Sequence, residues 1–517
     1  MSENEVVKKK KKRRINARFL WCVSVLAGIV FFIAFATTPV FPLKWDLIVL
    51  VGIVLILYLT FLLSVKTSPW NVFTKAMNLI VTACLFICAI LIPYEIDKVS
   101  SLFNSVVGQT VTINVYRMSD DYISQSTFQN VYEFESDNGK VKNLEDLKDA
   151  IFITSAQGDS ENTTYALKEL NSAFGSSPKQ LDKESYLDAA SALYENRGDF
   201  LVMPSSYVSL LEDEEAYGNF VKDTTVVYSF ERKIESTVSL TGDSTLTKKP
   251  FSIFFGGNDQ TGSLSLEGRT DVCMLVTVNP NTHQIAIVNL PRDSYIPNPY
   301  YGGKKDKLTH LGLKGIDNTL KGLGEYLDEP INNYVLVNFD TFRNIITALG
   351  GIDIENPYSF TALDGQFFPE GQIHLDSEGA LMYVRERYSL PDGDFGRNMH
   401  QQLVMSAIID KITSKEVIYK FNDILDSIQG QFLTNVSSKA LYGLVSKQLD
   451  DGTSWNIVKY HVVGDTGNEY CASAQGQTLS VVYPYPNQVK FVTNVLNQVV
   501  DGETLIQEEL PEGSYKE

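Results

Sequence analysis

The chain has 517 residues, 44% of them hydrophobic, and a formal net charge of −18. That length exceeds one ordinary domain, and the negative balance speaks against a nucleic-acid partner, because an acidic field repels a phosphate backbone. The five cysteines contain no CxxC pair and the five histidines have no ligand spacing, which argues against a disulfide framework and against a structural zinc site.

Three apolar runs open the chain: Phe19–Thr38, Leu47–Val65 and Val72–Tyr94. Each is near the ~20 residues that cross a bilayer core, so residues 19–94 are expected to form three transmembrane helices. Residues 8–14 read KKKKKRR. Lys and Arg beside a span favour the cytoplasmic side, which makes residues 1–18 a basic cytoplasmic tail and gives an in–out–in path. Everything after Tyr94 is then expected outside a cell membrane that the chain crosses several times. With 11 Lys+Arg and 5 Asp+Glu before residue 98, the remaining 33 and 57 leave that exterior part at −24. An anion site there must be a local basic island. Cys22, Cys84 and Cys88 read as small apolar residues of the spans. Whether Cys273 and Cys471 pair stays open.

The exterior divides into a small α/β accessory domain (106–235), a linker (236–249), an α/β domain (250–500) and an acidic tail (501–517). In the first, Val111–Arg117 reads as a strand, NLEDLKDA as helix-like, 163–174 and 185–196 as helices, and 199–206 as a buried strand. In the second, SIFFGGND, VCMLVTVNP (272–280), QIAIVNL (284–290) and NNYVLVNF (332–339) read as strands, with a hairpin turn at 279–283. Residues 312–327, 339–351 and 398–413 have helical spacing, and the Gly350–Gly351 pair suits a helix end. Strands alternating with helices predict an α/β fold with a central twisted mixed sheet flanked by helices.

Charges gather at the ends of these apolar runs. Asp259 follows FFGGN, Arg269 and Asp271 precede VCMLVTV, and Arg292 follows AIVNLP. Arg385 and Arg387 lie in LMYVRERY, and Asp394, Arg397 and Gln401 follow in DGDFGRNMHQ. In a strand, Arg385 and Arg387 share a face and Glu386 points away. Arg397 and Gln401 share one helix face. Side-by-side guanidinium groups repel unless an anion separates them, and their planar fork suits phosphate oxygens. Spacing alone leaves a plainer account open, with solvated arginines on an edge strand and a surface Asp394–Arg397 pair.

The stretches GRTDVCMLVTVNPNTHQIAIVNLPRDSYI (268–296), VLVNFDTFRNIITALGGIDI (335–354) and GQIHLDSEGALMYVRERYSLPDGDFGRNMHQQ (371–402) resemble the LytR–CpsA–Psr family of cell-wall phosphotransferases. The three spans and the intervening α/β segment resemble its capsule-associated branch. The family pattern usually has Ser where Thr270 stands, and Gln401 and Gln402 leave one position of register open. The resemblance implies a tunnel for a polyprenyl chain beside a pyrophosphate site. Arg269, Arg292, Arg385, Arg387, Arg397 and Gln401 would contact the pyrophosphate, and Asp259 and Asp271 would hold Mg²⁺, with Mn²⁺ as the alternative. Asp394, with Arg292, Arg385 and Arg387, would be catalytic. The implied activity moves a polyprenyl-pyrophosphate-linked polysaccharide, expected to be capsular, onto peptidoglycan, with pyrophosphatase activity as a side reaction. Capsule-assembly proteins are the implied further partners. The rival expectation is a non-catalytic scaffold of capsule synthesis that binds the lipid-linked polymer.

Overall fold

The computed structural model describes residues 16–515 apart from 38–42, 68–70, 105–108, 129–130, 138, 157–158, 213, 235–245, 259–263, 392, 415–423, 425–431 and 475–477. The basic run 8–14, most of the 236–249 stretch, and Asp259 therefore lie outside the described residues. The apolar runs form helices α1 (Ala17–Ala36), α2 (Leu43–Lys66) and α3 (Val72–Asn104), the last continuing past Tyr94. Their mean hydropathies of 2.6, 2.9 and 2.3 suit a bilayer. Polar links join them. The Trp21 indole N–H donates to the Leu57 carbonyl at 2.8 Å, the Ser24 and Thr82 hydroxyls are 2.7 Å apart, and the Asn78 amide donates to Ser64 Oγ at 3.1 Å. Interhelical bonds of this kind serve as glue where lipid gives apolar side chains no reason to cluster.

The accessory domain contains β1 (Gln109–Met118), β2 (Ile151–Thr154), α4 (Ser160–Phe174), β3 (Lys179–Asp182), α5 (Tyr186–Tyr194), β4 (Phe200–Pro204) and β5 (Thr224–Ile234). Its sheet runs β3-β2-β4-β1-β5. Asp159 and Ser185 cap α4 and α5 through their side chains, which satisfies N–H groups that the helices cannot. NLEDLKDA forms only a 3₁₀ turn over Leu144–Leu147. Strand β5 has no counterpart in the sequence reading, because Glu231-Arg232-Lys233 breaks its alternation. It is an edge strand, on which Glu231 and Lys233 are exposed.

The second domain is built on β6 (Phe251–Asn258), β7 (Val272–Asn279), β8 (Gln284–Asn289), β9 (Asn333–Asn338), β10 (Leu433–Thr434) and β11 (Asn456–His461), ordered β10-β9-β6-β7-β8-β11. β7 runs antiparallel to both β6 and β8, whereas β9 runs parallel to β6 and β11 parallel to β8. Helices α6 (Ile316–Leu327) and α10 (Pro486–Asp501) bury Leu320, Leu323, Val492 and Leu496 in the same core as Phe254, Leu275 and Val288. Helices α7 (Phe339–Ala348), α8 (Ser377–Arg385) and α9 (Asp394–Ile412) share a separate core with the Ile352–Asn356 hairpin strand. The expected mixed sheet flanked by helices is therefore present. Residues 503–510 are not a loose tail. Leu505 is in the core, Asn456 donates to its carbonyl at 2.9 Å, and Gln507 bonds both backbone groups of Lys459. The free edge of β11 needs backbone partners, and this segment supplies them. Cys273 and Cys471 are buried free thiols in different core clusters.

The accessory domain and the second domain share a core, since Leu313, Cys471, Leu479 and Val481 pack with Tyr116, Leu193 and Leu201. A charge cluster is buried beside it. Lys314 lies 3.2 Å from Asp159, and Arg232 3.6 Å from Glu267. Asn162 bridges them by accepting from Arg232 Nε at 2.6 Å and donating to Asp159 at 2.8 Å and to Glu267 at 3.5 Å. Burial, helped by the neighbouring Asp159 charge, raises the Glu267 carboxyl to about 7 against the opposing pull of Arg232 and Lys314. Between 4.5 and about 7 the folded chain therefore holds a proton that the unfolded chain has released, so stability falls as pH rises through that window. The thermal midpoint of the wild-type chain should decline across it, and E267Q should decline less. Parallel profiles would rule out Glu267 as the titrating group.

Candidate functional site

The ends of β6, β8 and β9 and the start of β7 meet at one edge of the sheet. The Gly256–Gly257 pair makes this edge close tightly: a Cβ on Gly257 would lie 2.8 Å from Val272 Cγ2, and one on Gly256 2.6 Å from Leu336 Cδ2. The Asp271 N–H thereby reaches the Gly257 carbonyl at 2.7 Å, and its carboxylate is held at the rim.

A pocket of about 730 Å³ opens there, lined by Asp271, Arg292, Arg385, Arg387, Arg397 and Gln401, together with Arg343. Six residues singled out from sequence thus converge. Arg292 pairs through Nη1 with Asp271 and stands 3.8 Å from Asp293, which Lys307 holds in turn at 3.1 Å. Burial alone would raise the Asp293 carboxyl, but Lys307 and Arg292 outweigh it and hold it below the usual range. Arg343, which spacing did not single out, lies 2.6 Å from Asp340 and 3.5 Å from Glu378. Its only sequence signal was the i,i+3 relation to Asp340.

Three expectations need correction or limitation. Arg385 and Arg387 do not lie on a strand. Asp376 caps α8 by accepting from Gly379 N–H at 2.8 Å, and Gly379, Ala380, Leu381 and Tyr383 are buried along a helix that ends at Arg385. Helix formers behind a strong cap outweigh the β-type Tyr383–Val384 pair. Arg269 is not among the pocket residues. It is buried, and its Nη1 donates to the Ser209 carbonyl of the accessory domain at 3.0 Å. Of the expected metal pair, Asp271 is described and Asp259 is not. Asp394 is the first residue of α9, one turn before Arg397.

Glu386 is a site residue that the strand reading turned away. It is 6% exposed, and its carboxylate accepts backbone N–H bonds from Leu363 (2.9 Å), Arg387 (2.9 Å), Tyr388 (2.8 Å) and Ser389 (3.0 Å). Burial raises its pKa, but these four donors prevail and hold the carboxyl below its ordinary value. One anion thus fixes the turn carrying Arg387 and leaves Arg385 on the last turn of α8. The guanidinium of Arg385 lies 4.5 Å from the Phe339 ring centre and that of Arg387 4.4 Å from Tyr388, within cation–π range. The glutamine register is also resolved. Gln401 lines the pocket, whereas Gln402 is buried and donates to the Ile287 and Tyr460 carbonyls. Beneath them His400 stacks on Tyr383 at 4.0 Å and is held neutral, with burial lowering it to about 4.

A narrow apolar cavity of about 80 Å³ continues inward, lined by Phe255, Met274, Phe342, Val404, Met405 and Ile408 among others. It shares Asp271, Phe339, Leu381, Val384 and Gln401 with the arginine pocket. The site thus joins a cationic mouth to a hydrocarbon-like interior. Among the described residues no group of three or more His, Cys, Asp or Glu could hold a metal alone. Mg²⁺ needs only one or two carboxylates when phosphate oxygens and water complete its shell, so the hard oxygen donors of Asp271 fit it.

An α/β domain with arginines clustered at a sheet edge narrows the class of protein, and the match to a family model identifies it. The model of the LytR_cpsA_psr family matches residues 218–483, and the chain belongs to that family. Over 220 residues it is 35% identical to a polyisoprenyl-teichoic acid–peptidoglycan teichoic acid transferase TagU of Bacillus cereus, covering 42% of this chain and 71% of that one. A TagU of Enterococcus faecalis is 36% identical over 239 residues, covering 46% and 76%. The crystal structure of B. subtilis TagV aligns over 50% of this chain and 99% of its own, with 29% identity and a TM-score of 0.42.

The depressed Glu386 carboxyl contributes stability that is fully present above the unfolded value, near 4.5, and lost as pH falls through the lower folded value. E386Q, whose amide can present only one oxygen to four donors, should lower the thermal midpoint at neutral pH, with the gap to wild type closing on acidification. A gap that persists undiminished well below pH 4.5 would show that the charge is not what holds the turn.

Proposed function

We propose that this chain transfers a polysaccharide from a polyprenyl-pyrophosphate carrier to peptidoglycan outside the cytoplasmic membrane, leaving a phosphodiester and releasing polyprenyl phosphate. The observation that carries this reading is the continuity of the arginine pocket with the apolar cavity. A lipid pyrophosphate has the matching two-part chemistry, an anionic head on a hydrocarbon tail. The TagU relatives, named as transferases between a polyisoprenyl carrier and peptidoglycan, support the same reaction class. Three helices long enough to cross a bilayer support anchoring where the carrier resides. The Lys/Arg run before α1 supports a cytoplasmic N-terminus and an exterior site.

In this mechanism a peptidoglycan hydroxyl attacks the phosphorus bonded to the polymer. The new P–O bond forms as the bridging P–O bond to the lipid phosphate breaks, and the hydroxyl proton passes to Asp394. Arg385, Arg387, Arg292 and Arg397 orient the pyrophosphate and offset charge developing on its oxygens. Gln401 is within the same pocket to bond a phosphate oxygen or the attacking hydroxyl. Asp271, with Asp259, would hold Mg²⁺ (or Mn²⁺), which supplies further charge neutralisation when bound. Transfer to water instead of a sugar hydroxyl would give the side pyrophosphatase activity.

The polymer is assigned as capsular, with capsule-assembly proteins as further partners. The three apolar helices followed by an accessory domain, an arrangement that resembles the capsule-associated branch of the family, support this. R385A or R387A should each lower kcat/KM about 10²–10³-fold, the cost typical of a lost oxyanion donor. The assay follows attachment of lipid-linked polysaccharide to peptidoglycan by the full chain with Mg²⁺. If wild type forms no sugar–peptidoglycan phosphodiester, or both variants match it, a non-catalytic scaffold becomes the better account.

A further inference from the structure

The edge of the arginine pocket carries an apolar rim. The pair Phe360–Thr361 and Phe367–Phe368 forms a short hairpin. Phe360 and Phe368 stack at 5.0 Å and are buried with Tyr383. On the outer side Phe367 is 61% exposed, and Leu363 at the tip is 73% exposed. Tyr388, across the pocket edge, is 68% exposed. These side chains are held in place. Ala362 and Gly365 close the tip through bonds of 2.9 Å, and Glu386 ties the Leu363 N–H to the turn carrying Arg387 and Tyr388. Leu363 and Tyr388 line the pocket with Arg385 and Arg387, while Phe367 lies outside its lining.

We propose that the Leu363–Phe367–Tyr388 rim rests on the phospholipid headgroup layer, so that the pocket opens at the bilayer surface. A leucine and a phenylalanine beside a tyrosine and arginines have the composition of a membrane interface, where apolar parts sink and polar tips stay at headgroup level. Arg385 and Arg387 stand beside the rim, and guanidinium groups pair with lipid phosphates as they do with any phosphate. The rim is continuous, through the pocket, with the apolar cavity. The one carboxylate at the tip, Asp364, accepts the Gln366 N–H at 3.0 Å and so is turned back into its own turn. The benefit of the contact rests on the proposed lipid-linked donor, which would pass from bilayer to pocket with little exposure of its tail to water. The contact itself can be tested without any donor.

The test uses the full chain in vesicles of phosphatidylglycerol and phosphatidylcholine, free of donor and wall polymer. Photoreactive p-benzoylphenylalanine is placed at 363, at 388, or at the exposed control positions 221 and 506, and lipid adducts are read by mass spectrometry. Adducts at 363 and 388 should exceed the controls several-fold. Equal yields overturn the proposal, and so does crosslinking to added peptidoglycan fragments in place of lipid, which would make the rim a glycan platform. F367S, outside the pocket, should raise KM several-fold for a donor embedded in vesicles and leave turnover of a detergent-dissolved donor unchanged. An unchanged KM in vesicles counts against the rim. Absence of transfer in every format would sink the transferase reading while the crosslinking result still decides the contact.

Discussion

The packing of several guanidinium groups at one sheet edge is the constraint that organises the second α/β domain. Like charges so close must be compensated or separated, and the fold does this in two ways. Arg292 and Arg343 are paired with carboxylates, Asp271 and Asp293 for the first and Asp340 and Glu378 for the second. Arg385 and Arg387 are instead held against the rings of Phe339 and Tyr388. A ring face positions a guanidinium without cancelling its charge. Arg385 and Arg387 therefore keep their cationic character toward an incoming anion, while Arg292, beyond the end of β8, and Arg343, on α7, are pre-oriented by their acids. The division assigns electrostatic attraction to one pair and geometry to the other.

Glu386 shows why residue chemistry was easier to read than residue placement. Arg292, Arg385, Arg387, Arg397, Asp271 and Gln401 reach one pocket as their positions at the ends of apolar runs suggested. The route differs from the expected one. Arg385 and Arg387 were assigned to one face of a strand, but they meet the pocket from a helix end and the turn after it. Both geometries bring i and i+2 near each other when the chain changes direction between them. Only the second leaves residue i+1 pointing inward, where it gathers four N–H groups. Buried backbone donors need acceptors, and no periodicity reveals which side chain will supply them.

Long-range contacts account for the rest of what the sequence hid. Arg269 belongs by motif to the site but is drawn to Ser209, about sixty residues earlier, because the accessory domain places a carbonyl beside it. Asp159, Arg232, Glu267 and Lys314, which nothing in the sequence marks as related, form the buried seam between two domains. Each has a weak local signal, since an Asp before a helix or a Lys before a glycine is common anywhere. Their meaning arises only when two sheets are docked. Strands β6, β7 and β8, by contrast, were legible because an apolar run with a hairpin turn constrains its own register.

The seam also bears on the site. Arg269 and Asp271 are two residues apart on the segment that enters β7, and the backbone of that segment is fixed at both ends. Gly268 N–H donates to the Gly312 carbonyl at 2.9 Å, and Asp271 N–H donates to the Gly257 carbonyl at 2.7 Å. The Arg269 side chain anchors the same segment to the accessory domain between these bonds. Asp271 in turn orients Arg292. The accessory domain is therefore bonded to the strand entry that carries the pocket's described carboxylate partner of Arg292. A short, bonded segment transmits position because each of its ends is held by backbone bonds, which tolerate little displacement. On this reasoning the accessory domain contributes to the shape of the pocket without lining it. Its separation from the pocket residues in sequence then reflects a supporting position in the fold.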